Sequence, residues 1–156
     1  MVKGMKKKRK ICLTHTYKRY CSVIRQDRMH TLNHLIEPDV EYLWTAVDWK
    51  DIEEKFISLK IPSSVITNLK NVHNFFFALP DSEFNQDNLI LKLKGLSKQL
   101  NVPYSSLMRA MRIVLTAQQD GPGIAEIIDM LGKKRCLEKL NFAIGKIENC
   151  LNVSNS

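Results

Sequence analysis

Arg109, Arg112 and Thr116 recur at helical spacing, and five residues further on comes Gly121-Pro122-Gly123-Ile124. The two guanidinium groups carry fixed charge and forked N–H donors suited to phosphate oxygens and base edges. Proline fits the first turn of a helix, where its missing N–H is no loss. The flanking glycines let another molecule approach the main chain, and the free N–H groups of a helix start favour anions and base acceptors. Together these residues describe a small, neutral-to-basic recognition surface. They do not describe a reaction centre, because no nucleophile with a neighbouring base can be assembled from the sequence with any specificity. His30 and His34 are four residues apart but lack a third ligand, so they are expected to be plain surface residues. No metal and no cofactor is expected. Spacing alone also allows a blander reading, a tight link between helices with two solvated arginines.

The elements that hold these residues all have helical periodicity. Tyr20, Ile24, Leu32 and Leu35 form a stripe that Pro38 stops, and a short helix "DVEYLW" follows. Trp49, Ile52, Phe56 and Leu59 mark the next helix, and Val65, Leu69, Val72, Phe76 and Leu79 the one that ends at Pro80. "NLILKLKGLSKQLN" is ambiguous, since Leu89, Leu91 and Leu93 alternate like a strand while Leu89, Leu93, Leu96 and Leu100 fit a helix. Every neighbour is helical, so a helix is expected. "PYSSLMRAMRIVLTA" is expected to bury Tyr104, Leu107, Met108, Met111 and Leu115 and to expose the stripe Ser105, Arg109, Arg112 and Thr116. Helices over 122–131 and 133–150 complete the chain, with Gly132 as the cap between them. The expected fold is all-α, a helical bundle or cage in two small subdomains. Residues 1–16 form a loose basic arm, 17–80 the first subdomain and 81–151 the second, which carries the contact turn.

At 156 residues the chain has room for a real core, and 44% hydrophobic with 26% charged residues is ordinary for a globular protein. No apolar run approaches the roughly 18 residues that span a bilayer, so no membrane is expected as a partner. The net charge of +8 is unevenly placed. Residues 1–26 hold nine Lys or Arg and no acid, leaving 15 bases against 16 acids in the rest. Any nucleic-acid footprint on the body is therefore local. Between Asp87 and Asp120 stand Lys92, Lys94, Lys98, Arg109 and Arg112 without an acid, while residues 37–54 are strongly acidic. The four cysteines form no C-x-x-C pair, which points to reduced thiols, with Cys136 and Cys150 as small core residues.

The stretch "MRIVLTAQQDGPGIAEIIDMLGKKRCLEKLNFAI" resembles the carboxy-terminal anticodon-binding domain of class I glutamyl-tRNA synthetases. The family pattern runs L-R-x-A-L-T-G, a short loop, G-P-x-[LI]-x-E, then L-G-K-E-x-x-x-x-R-L. Arg112, Leu115, Thr116, Gly121, Pro122, Ile124, Glu126, Leu131, Gly132, Lys133 and Leu140 match it here. A second patch, "DRMHTLNHLIEPDVEYLW" at 27–44, is similar to the start of that domain in bacterial and mitochondrial members. Ala117 departs from the glycine of L-T-G, the proline usual after Y-L-W is missing, and Cys136 and Lys139 replace other residues. Neither an H-I-G-H-type nor a K-M-S-K-S-type motif occurs.

The resemblance implies a module that holds the anticodon stem-loop of glutamate tRNA. It would serve glutamyl-tRNA aminoacylation in translation while lacking the catalytic half, whose ATP and amino-acid sites belong to the full-length family enzyme. Gly121, Pro122, Gly123 and Ile124 would line the base pocket, with Arg109 and Arg112 on phosphates or base edges, Thr116 as a neutral partner and Arg28 contributing from the first subdomain. Such a chain is expected to be a monomer, inactive as a ligase by itself, and either a piece or short form of a longer protein or the partner of a separately encoded half. The patch at 27–44 implies the mitochondrial matrix. Against it, the lysine block at 6–10 looks like a nuclear signal and leaves a cytoplasmic or nuclear location open. The rival reading is a helical protein-interaction or nuclear nucleic-acid-associated module that uses the lysine-rich arm.

Overall fold

The computed structural model describes residues 47–154, with side chains to residue 150. The expectations for the basic arm, the helix before Pro38, "DVEYLW", Arg28, His30, His34, Cys12 and Cys21 lie outside the described residues. Within them the chain forms six α-helices and one 3-10 turn, with no strand. They are α1 (Trp49–Ser58), α2 (Val65–Ala78), the turn Asp81–Glu83, α3 (Gln86–Gln99), α4 (Tyr104–Thr116), α5 (Ile124–Leu131) and α6 (Lys133–Ser154). No helix among the described residues is long and apolar enough to cross a membrane.

Local chemistry sets the boundaries. Asp48 caps α1 by accepting from the Lys50 N–H at 3.0 Å, and Asn85 caps α3 by accepting from the Asn88 N–H at 3.1 Å. Pro80 cannot continue a helix, and α2 ends just before it. The ambiguous leucine run is helical. Leu89, Leu93 and Leu96 are buried whereas Leu91 is 70% exposed, as a 3.6-residue repeat requires and an alternating one forbids.

One core holds these helices together. Val65, Leu69, Val72, Phe76 and Leu79 join Leu89, Leu93, Leu107, Met111, Leu115, Ile127, Ile128, Leu140 and Ala143 in a single cluster. α2 lies along α6, α3 along α5, and α4 touches each of the other five. Phe76 meets Phe84 edge to face at 5.4 Å, and the Lys133 ammonium donates to the Leu79 carbonyl at 2.6 Å while lying 3.1 Å from the Asp81 carboxylate. This core takes residues from both sides of residue 80. α2, expected in the first subdomain, packs mainly on α6 of the second because their apolar stripes complete each other.

Three expectations are corrected, the first being Cys150, which is exposed and not a core residue. The helix expected from 122 begins at Ile124, with Gly123 as its N-cap and the Ile127 N–H bonding the Gly123 carbonyl at 3.0 Å. Pro122 precedes the cap, because the backbone runs extended through Gly123 at ψ 142°. The polar stripe of α4 is also not uniformly solvated: Ser105 and Arg109 are exposed, Arg112 is half-buried and Thr116 is buried. The central helix sinks into the bundle toward its C-terminus, where the loop 117–123 covers it.

Candidate nucleic-acid interface

The turn begins where α4 ends. Ala117 adopts the left-handed conformation at φ 55° and ψ 21°, and its N–H bonds the Ile113 carbonyl at 2.8 Å. Thr116 is spent on this ending: its hydroxyl donates to the Arg112 carbonyl at 2.8 Å and accepts from the Gln118 N–H at 3.0 Å. Buried and engaged on both sides, Thr116 shapes the loop, and no free hydroxyl is presented to a ligand.

The loop then folds back over Arg112. Gly121 sits at φ 141°, a conformation that L side chains rarely adopt, and a Cβ placed there would lie 3.2 Å from Arg112 Nη1. The same Cβ would lie 3.8 Å from Gln118 Oε1. Gly121 thus has two reasons to be glycine, its backbone angle and the guanidinium beneath it. Arg112 Nη1 is itself buried and, among the described residues, has no hydrogen-bond acceptor. A buried charged donor left without an acceptor is costly, and buried polar groups almost always find partners.

Gly121 and Gly123 are exposed and Pro122 is half-buried, so the turn offers its main chain to solvent. A Cβ at Gly123 would meet nothing within 4 Å. The helix start behind it, with glycine as its N-cap, has no side-chain cap. Ile124 is 6% exposed and belongs to the core, so its side chain anchors α5 and only its backbone faces the turn. A cleft of roughly 620 Å³ opens beside the loop, lined by residues 117–122 and by Lys55 of α1. Lys55 was missed in the sequence because nothing in its own helix marks it; only the fold brings it beside a loop more than sixty residues on. Lys55 and Asp120 balance each other in charge, which suits reading base edges better than gripping phosphates.

Arg109 stands apart. It is exposed and lines a different cleft, formed by the α1–α2 and α3–α4 links. The structure thus gathers Arg112, Thr116, Gly121, Pro122, Gly123 and Ile124 and separates Arg109 from them. Among the described residues no three His, Cys, Asp or Glu side chains gather as a metal site would require.

Comparison with known proteins bears on the family and the fold. The sequence profile of the family described as an anticodon binding domain matches residues 7–144. A glutamate–tRNA ligase of Desulforudis audaxviator is 26% identical over 131 residues, covering 83% of this chain and 26% of that protein. Glutamate–tRNA ligase 2 of Wolbachia pipientis is 28% identical over 81 residues, covering 52% of this chain and 18% of that protein. The chain thus spans only about a fifth to a quarter of the relatives it matches. Among solved structures, a glutamate tRNA ligase from Elizabethkingia meningosepticum in complex with its amino acid superposes with a TM-score of 0.60 at 16% identity. That match covers 72% of this chain and 22% of the other, and it shows the shared fold. With a profile match across most of its length, the chain belongs to the anticodon-binding domain family.

Proposed function

We propose that this chain binds the anticodon loop of a glutamate-accepting tRNA and reads its bases at the Gly121-Pro122-Gly123 turn, as the anticodon-binding part of a glutamate–tRNA ligase. The observation that carries the reading is Arg112 Nη1, buried beneath Gly121 without an acceptor among the described residues. A shift of the Gly121 loop would open that donor to an incoming base edge as acceptor, and the bare backbone of the turn and the helix start would supply further donors. RNA sequence is read chiefly on unstacked loop bases in this way. Family membership and the names of the glutamate–tRNA ligases it resembles support the choice of RNA.

Filter binding of the purified chain to glutamate-accepting tRNA and to the same tRNA with a swapped anticodon tests the reading. The expected preference is about five- to 150-fold, since one well-placed base contact is worth about 1–3 kcal/mol. Gly121→Ala, which pushes on Arg112, should reduce that preference. Equal affinity of the unaltered chain for both RNAs would leave only charge binding and overturn the proposal.

The chain contains neither signature motif of the catalytic half, so by itself it should not activate glutamate, and pyrophosphate exchange by these 156 residues would refute that. The resemblance of residues 27–44 to the mitochondrial type supports a place in the mitochondrial matrix, which imaging of the tagged full-length protein would check. A monomer that needs no metal is the corresponding expectation in solution.

A further inference from the structure

Two links between helices in this chain are built alike. "LKIPSS" joins α1 to α2 and "LNVPYSS" joins α3 to α4. In the first, the Lys60 N–H bonds the Ile57 carbonyl at 3.1 Å and the Ile61 N–H bonds the Phe56 carbonyl at 3.1 Å. In the second, the Asn101 N–H bonds the Lys98 carbonyl at 3.1 Å and the Val102 N–H bonds the Ser97 carbonyl at 3.0 Å. Both are Schellman endings with a left-handed residue, Lys60 at φ 49° and Asn101 at φ 54°. A β-branched residue and a proline then turn the chain into the next helix.

The two links form the walls of one cleft of roughly 440 Å³. Val65, Leu107 and Ala110 are buried in its floor, and Lys60, Ser64, Asn101, Ser106 and Arg109 stand exposed around it. Among the described residues no carboxylate lines it. The reason lies in the sequence, where residues 55–80 and 88–119 hold no Asp or Glu although the chain beyond residue 26 is otherwise balanced in charge. Among the described residues neither Lys60 nor Arg109 has a carboxylate partner. Two such cations with hydroxyl and amide donors between them suit a phosphate, Arg by its fork and Lys as a point charge. Arg109 and Thr116 lie two turns apart on α4, about 10 Å along its axis, so this cleft and the Gly121 turn are within reach of one short strand.

We infer that this cleft is a phosphate site, in which Lys60 and Arg109 hold the sugar-phosphate backbone of the RNA whose bases are read at the Gly121 turn; the inference rests on that reading. The cleft contributes affinity and register, and the turn contributes choice of base.

The test is the salt dependence of tRNA binding by the full chain with Lys60→Gln and Arg109→Gln combined, between 50 and 200 mM salt. Removing contacts to two phosphates of a single strand should make the slope of log K against log salt shallower by about 1.4. The ratio between cognate and anticodon-swapped tRNA should stay as in the unaltered protein. The charge-keeping pair Lys60→Arg and Arg109→Lys should restore the slope, which a folding defect would not allow. An unchanged slope in a protein that still prefers its cognate loop overturns the cleft and leaves the reading turn standing. Loss of that preference in the double glutamine variant also overturns it, since the cleft would then be reading bases. Inorganic phosphate that shifts the Ser64 and Ser106 amides while the RNA slope stays unmoved reassigns the cleft to a free phosphate. A polyglutamate peptide that competes there, with the RNA slope unmoved, reassigns it to an acidic protein.

Discussion

Ala117 holds a left-handed backbone at φ 55° that ordinarily selects glycine, at the position where the resembled family has one. Each non-glycine residue in that region costs about 1–2 kcal/mol, and glycine loses about 0.5–1 kcal/mol more chain entropy on folding. Ala117→Gly is therefore expected to stabilise the chain by roughly 0.5–1 kcal/mol, read as a higher urea midpoint at unchanged m. Lys139 supplies a second test at this scale. Burial, with help from Arg135 and against the pull of Cys136, lowers its ammonium from 10.5 to about 8. The unfolded chain then binds more protons than the folded one between those values, so stability rises with pH across that window. Below about 8 the lysine is charged in both states and the burial penalty stands in full. Unfolding free energies of the native protein and of Lys139→Met should accordingly converge between pH 8 and 10. A constant difference would show that Lys139 titrates normally.

The turns between helices are decided by very few atoms. α5 and α6 are separated by Gly132 alone, at φ 77° and ψ 159°, a region essentially reserved for glycine. The Gly132 N–H closes α5 on the Ile128 carbonyl at 2.9 Å, and its carbonyl receives the Cys136 N–H at 3.1 Å to open α6. Gly132→Ala is expected to cost about 1–3 kcal/mol and to lower the melting temperature clearly, because both helices feed the single core. This glycine was legible in the sequence, standing between two apolar stripes. The start of α5 was not: Gly123 takes the cap that Pro122 was expected to precede into the helix. Pro122 is compatible with an extended chain as well as a first turn, and only the loop's path over Arg112 selects between them. The leucine run of α3 was settled by its neighbours, since an isolated strand has nothing to pair with in a bundle.

At the scale of the whole molecule, charge is divided between a basic N-terminal stretch and a body whose bases are local. Deleting residues 1–10 should flatten the salt dependence of RNA affinity while keeping the preference for the cognate anticodon loop. Loss of the preference on deletion would move the reading from the turn to the arm. Helical class, the stripes of α1 to α6 and the residues of the turn follow from the sequence by itself, because periodicity, prolines and glycines act over a few residues. What only the tertiary structure decided is which polar residues remain available. Arg109 and Arg112 look equivalent on a helical wheel, yet α4 is the central helix, so its C-terminal half sinks beneath the loop while its N-terminal half stays open. Arg112 is buried under Gly121, Thr116 is consumed as a cap, and Arg109 faces another cleft with Lys60. The same packing joined α2 to α6 across the expected boundary and brought Lys55 to the turn. Contacts between residues far apart in the chain leave no periodic trace, since each stripe records that a face is covered but not by what.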